Sequence, residues 1–306
     1  LAVAYDKTGQ HDRAIDTARR TEERHPGRYE TAANLGTFYI HAGRPADGLP
    51  HIDRALRINP DAHFGREKYQ KLLVEYVRHR RPDGKVRLPL AEVSVKTDAA
   101  GKSPSVYAAS VSDTFAHYLD QAGHELASPK ERDAAVKGVL GMMKFGQYDS
   151  PILLEALGTL LTPLEIGSYV PQDAKLLAAR AFLKASYEVP DGPARVAYRA
   201  MAARALSMQT TGPGSSTQVT LEQVEADFGL ELADAKAWYA DLREKELSWV
   251  RDGRDPEAEF DWLYTADPEV PGAADAPVVS DWARRLGAAD ARWLVVAAVA
   301  GLAFVG

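Results

Sequence analysis

Apolar residues recur along most of this chain at helical spacing. Tyr69, Leu72, Leu73, Tyr76 and Val77 form one stripe of a helix. Ser128-Pro129-Lys130-Glu131 reads as a helix start, with serine at the cap, proline in the first turn and an acid behind it. Val136, Val139, Leu140 and Met143 continue that helix towards Gly146. Pro151 opens another, carrying Ile152, Leu153, Ala156, Leu157, Leu160 and Leu161. A helical pair follows at 172–187 and 192–208, where Ala178, Ala179, Ala181 and Ala185 in the first and Ala197, Ala200 and Ala205 in the second permit close packing. Further helices are expected over 106–123, 220–229 and 231–251, while Leu88–Val95 alternates weakly, as a short strand or extended arm would. The pattern predicts an all-α protein.

The first part of the chain repeats. Shifting residues 1–26 by 34 positions brings Leu1 onto Leu35, Tyr5 onto Tyr39, Gly9 onto Gly43 and Pro26 onto Pro60, with Ala14 on Gly48. The second copy reads Leu35-Gly36, Tyr39, Gly43, Gly48, Ile52, Ala55 and Pro60. Small residues allow two antiparallel helices to approach, Gly43 permits a left-handed turn and Pro60 ends the second helix.

On these residues the chain resembles the tetratricopeptide repeat family over about residues 1–80. The resemblance implies stacked helix–turn–helix units with the 69–77 helix capping them, continuing as an irregular α-solenoid through 105–264. It also implies a partner-docking face on the first helix of each repeat. Val3, Asp6 and Lys7 occupy that face in the first repeat, and Glu30, Ala33, Thr37, Ile40 and His41 in the second. One subclass of the family clamps a C-terminal carboxylate with lysine and asparagine; Ala33 and Thr37 stand at two of those positions here, so that clamp is not expected.

The punctuation sets the remaining organisation. Residues 81–104 form an irregular connection, and Pro-, Ala- and Asp-rich residues 265–281 form a linker. Residues 282–306 then read as the start of a membrane anchor, because the last fourteen, from Trp293 to Gly306, carry no charge. A helix of that length spans roughly 21 Å of a hydrocarbon core about 30 Å thick. The expectation is a transmembrane helix continuing past Gly306, and a first repeat that begins upstream of Leu1. Arg284, Arg285 and Arg292 on the near side lean the soluble part towards the cytoplasm.

Composition narrows the chemistry. The 306 residues include no cysteine, which removes thiol nucleophiles, disulfides and zinc–thiolate sites, and the net charge of -6 argues against bulk nucleic-acid binding. No Walker, dinucleotide-binding, HExxH or GxSxG motif is present. Asp113, His117, Asp120 and His124, at helical spacing, are a weak metal-ligand candidate, set against a solvated polar helix face. Arg78-His79-Arg80-Arg81, with Lys85 and Arg87, could meet phosphates but sits where it offsets a helix dipole. Trp238, Trp249, Trp262, Tyr239 and Tyr264 are expected in a core, with docking on another subunit as the alternative.

The functional expectation is a non-catalytic protein-interaction scaffold or accessory subunit of a membrane complex, with protein partners, no nucleic acid and no cofactor. Two alternatives stand beside it: a metal-dependent helical enzyme using Asp113, His117, Asp120 and His124, and a soluble solenoid adaptor whose apolar tail is a packed helix.

Overall fold

Two glycines 34 residues apart turn the chain back on itself in the same way. Gly9 and Gly43 both adopt left-handed backbone, with φ of 73° and 72°, a region that costs a glycine nothing. Each closes a helical hairpin: α1 (Ala2–Lys7) with α2 (His11–Arg24), and α3 (Tyr29–His41) with α4 (Pro45–Ile58). The computed structural model describes residues 1–94, 110–162, 170–211 and 219–264.

Where α3 crosses α4 there is no room for side chains. A Cβ on Gly36 would lie 2.5 Å from Ile52 Cγ1, and one on Gly48 would lie 2.7 Å from the Gly36 carbonyl oxygen. Ala14 at the matching place in α2 is fully buried, and packs with Ile15 and Ala18 against Leu35, Phe38 and Tyr39 of α3. The hairpins therefore share a core.

After a 3-10 turn at Ala62–Gly65 comes α5 (Arg66–Arg80), with Tyr69, Leu73, Val74 and Tyr76 buried. Leu72 and Val77 of the expected stripe are half-buried, and Glu67 and Gln70 are buried beside it. On its far side lies α7 (Pro129–Phe145), running antiparallel, with Gly138 closed over the Tyr69 ring and Gly141 over the Arg66 side chain.

The connection after α5 is held by side chains. Arg80 Nε donates to the Leu90 carbonyl at 2.9 Å, and Arg81 Nη2 donates to the carbonyls of Arg87 and Pro89 at 2.6 and 2.8 Å. From the other side Glu155 accepts from the Leu90 and Ala91 amides at 2.9 and 2.7 Å and from the Tyr198 hydroxyl at 2.7 Å. Glu155 lies in α8 (Pro151–Leu161), and burial pushes its carboxyl up despite those donors. Irregular backbone can be buried here because Glu155 and Arg81 replace the ladder it lacks. Arg80 and Arg81 of the basic run thus serve the fold.

Strand β1 (Glu92–Ser94) pairs antiparallel with β2 (Ser110–Ser112), which confirms the extended piece near Leu88–Val95. The helix expected over 106–123 is shorter: α6 covers Phe115–Gln121 and begins at Thr114, whose hydroxyl accepts from the His117 amide. The alanine-rich pair forms as expected, as α9 (Gln172–Tyr187) and α10 (Pro193–Ser207), and Gly158 of α8 admits the Phe182 ring. Two-residue strands β3 (Val170–Pro171) and β4 (Thr210–Thr211) pair in parallel.

Helices 220–229 and 231–251 are one, α11 (Leu221–Arg251), which runs through Gly229 without a break. Contacts divide the chain into a first unit, including Leu1–Glu225, and a second that begins at Ala226. In the second, α12 (Pro256–Tyr264) sets Tyr264 against Trp238 at 5.6 Å between centroids. Trp249 is buried there, but Trp262 is 69% exposed and so is not core. No described helix is long and apolar enough to cross a membrane, and the 265–281 linker and the 282–306 anchor lie outside the described residues.

Gly48→Ala should lower stability by about 1–3 kcal/mol through overpacking, whereas Gly229→Ala, with nothing within 4 Å, should raise it by about 0.5–1 kcal/mol. Glu155→Ala should cost about 3 kcal/mol or more, because it orphans two buried amides and the Tyr198 hydroxyl. Urea unfolding followed by helical circular dichroism checks all three.

Candidate functional site

The docking residues expected from the repeat pattern divide into three groups. Val3 is 46% exposed, Glu30 is exposed and its carboxylate lies 3.5 Å from Arg28, and Ile40 is half-buried. Ala33 is buried among Ala32, Ala55 and Tyr29, so it offers no surface. Asp6, Lys7, Thr37 and His41 are engaged in hydrogen bonds with neighbouring elements.

Two of those bonds, and a third beside them, span about one repeat length. Asp6 Oδ2 lies 2.8 Å from His41 Nδ1, 35 residues away; Gln70 Nε2 donates to Thr37 Oγ1 at 3.1 Å across 33 residues; and the Tyr29 hydroxyl lies 2.9 Å from His63 Nδ1 across 34. One bond joins α1 to α3, one joins α3 to α5, and one joins α3 to the 3-10 turn before α5. Burial, and the Glu67 carboxylate next to it, push the Tyr29 phenol up. Lys7 Nζ donates to the Gly146 carbonyl at 3.1 Å, so the end of α7 reaches α1 at the edge of this face.

Asp6 is the most constrained of the group. Its residue is 6% exposed, and each carboxylate oxygen meets one imidazole: Oδ1 lies 2.9 Å from His11 Nδ1 and Oδ2 lies 2.8 Å from His41 Nδ1. The two rings stand edge to face with centroids 5.9 Å apart. Burial pushes the Asp6 carboxyl up, but the hydrogen bonds and charge of His41 and His11 outweigh it and hold it below its ordinary 3.8. Among the described residues this is the His/Asp/Glu group whose ligand atoms all lie within 4.8 Å of one another.

His11 is the member the repeat pattern did not single out. It opens α2, across the Gly9 turn from Asp6, so no helical periodicity links the two. The usable signal is a polar residue just past the turn glycine, beside an acid that the repeat register turns inward.

Asp113, His117, Asp120 and His124 do not converge. Only His117 and Asp120 lie within α6, since Asp113 precedes the Thr114 cap at a φ of 51° and His124 follows the left-handed Gly123. Asp113 pairs with Arg80 at 2.8 Å, and His117 Nδ1 lies 2.7 Å from the Thr114 hydroxyl. Asp120 is exposed, and burial together with the Lys68 charge pushes the His124 imidazole down. The weak metal-ligand candidate drawn from their helical spacing is not assembled. A cavity of about 330 Å³ lies beside Arg80, Arg81, Pro89 and Pro193, where both guanidinium groups already hold backbone carbonyls.

No family model, curated protein or solved structure matches the chain.

Because the folded Asp6 carboxyl lies below its ordinary 3.8, its contribution is fully present above that pH and is lost as pH falls through the lower folded value. Asp6→Asn should therefore destabilise the neutral protein by about 1–2 kcal/mol. The gap between wild type and variant should close below pH 3.8 in unfolding curves taken across the acid range.

Proposed function

We propose that the first unit is a non-catalytic interaction scaffold, built from tetratricopeptide-like hairpins, which presents the α1–α3 face to a protein partner. The observation that carries this reading is the set of side-chain hydrogen bonds spaced 33, 34 and 35 residues apart. Such spacing is what adjacent units about 34 residues long produce when each touches its neighbour. The left-handed glycines at 9 and 43 and the close crossing at Gly36 and Gly48 support it further.

The recognition chemistry would be local. Val3 and Ile40 supply apolar contact and Glu30 supplies charge, while the Asp6, Thr37 and His41 bonds keep the surface rigid before the partner arrives. A preorganised face loses little conformational entropy on binding. In this reading the scaffold is an accessory subunit of a membrane-associated complex. The uncharged run 293–306 provides the attachment, and that part of the proposal rests on sequence alone.

The test is co-purification of the full chain from detergent extract, followed by substitution. Val3→Glu with Glu30→Lys should weaken retention of the partner at least tenfold without lowering the melting temperature, and Trp262→Glu, in the second unit, should leave it unchanged. Full retention by the double variant would count against the docking face.

A further inference from the structure

We propose that Asp6, His11 and His41 form a binding site for one divalent transition-metal ion of the zinc class. The three side chains come from α1, α2 and α3, so the ion would join both helices of the first hairpin to the second. This inference does not depend on the docking reading.

The donor set selects the ion. Two imidazole nitrogens and one carboxylate suit zinc, cobalt, nickel or copper, whereas calcium and magnesium take oxygen shells and copper(I) takes sulfur. With three protein ligands the fourth position stays open. Water reaches it, because the His11 and His41 side chains are 27% and 20% exposed while the Asp6 carboxylate between them is buried.

The geometry is close to what coordination needs. Both Nδ1 atoms already point at one carboxylate, at 2.9 and 2.8 Å. Ligand atoms bound tetrahedrally at about 2.0–2.1 Å lie roughly 3.3 Å apart, and one ligand atom from each of the three side chains lies within 4.8 Å of the others. The ion takes the place of the protons that hold the carboxylate to each ring, leaving both imidazoles neutral with the remaining N–H on Nε2. Protons compete with the ion for the ring nitrogens, so binding weakens as the pH falls. One carboxylate charge offsets half of the ion's charge. The nearby Lys7 ammonium, which opposes a cation, is drawn to the Gly146 carbonyl at 3.1 Å.

Untagged full-length protein titrated with Zn²⁺ by calorimetry, and with Co²⁺ by visible absorption, tests the assignment. The expected result is one equivalent per chain, unaffected by excess Mg²⁺. His11→Ala and His41→Ala should each weaken binding at least tenfold, and the exposed His25→Ala should leave it unchanged. A second measurement does not depend on how the variants fold. Among the eight histidines of the wild-type chain, Co²⁺ should shift the imidazole resonances of His11 and His41 first. No stoichiometric binding by wild type, unaltered binding in both variants, or shifts centred on other histidines would each overturn the proposal.

Discussion

The structure of the first unit depends on backbone meeting backbone where α3 crosses α4. Gly36 and Gly48 leave so little space that a methyl group on Gly48 would meet the Gly36 carbonyl at 2.7 Å. That approach sets α3 firmly against α4, and α3 is also the helix that receives Ile15 and Ala18 of α2 and the amide of Gln70 from α5. Hydrophobic burial alone is non-directional and tolerates sliding. A glycine crossing fixes one depth and one register, so the hydrogen bonds from α1 and α5 to α3 meet their partners.

Two buried carboxylates then do opposite jobs. Glu155 lies where the repeats have ended, and holds an irregular segment by accepting from the amides of Leu90 and Ala91. Its burial outweighs its donors, so its carboxyl is pushed up. Asp6 lies inside the repeats and meets two imidazoles, which outweigh burial and hold its carboxyl down. The difference is in the donors. Neutral amides and a phenol compensate a buried carboxylate only in part, while imidazoles add charge to the hydrogen bond. Only the second arrangement has nitrogen ligands to offer a metal.

Sequence periodicity is informative where one local force dominates. The alanines of α9 and α10 and the Ser128-Pro129 start of α7 mark those helices because packing and capping act within a few residues. It misleads where forces compete. Gly229 suggests a break, yet its cost of about 1 kcal/mol is small beside the propagation of a 31-residue helix. Residues 110–112 fit the end of a helix in composition, but Ser110-Val111-Ser112 alternates and pairs with β1, and α6 starts only after Thr114. Asp6 and His41 of the candidate site are legible from the repeat register. His11 is not, because what brings it to Asp6 is the left-handed Gly9 turn.

The side-by-side order of α1, α3 and α5 is the claim on which the scaffold reading stands, and the absence of cysteine makes it directly measurable. Cysteines introduced in pairs at Val3, Thr37 and Lys71, positions spaced by 34 residues, can be joined by a short bismaleimide. Stacked repeats predict rapid cross-linking for Val3→Cys with Thr37→Cys and for Thr37→Cys with Lys71→Cys, and none for Val3→Cys with Lys71→Cys. Cross-linking of the outer pair as fast as the neighbouring pairs, or none in either neighbouring pair, would contradict the stack.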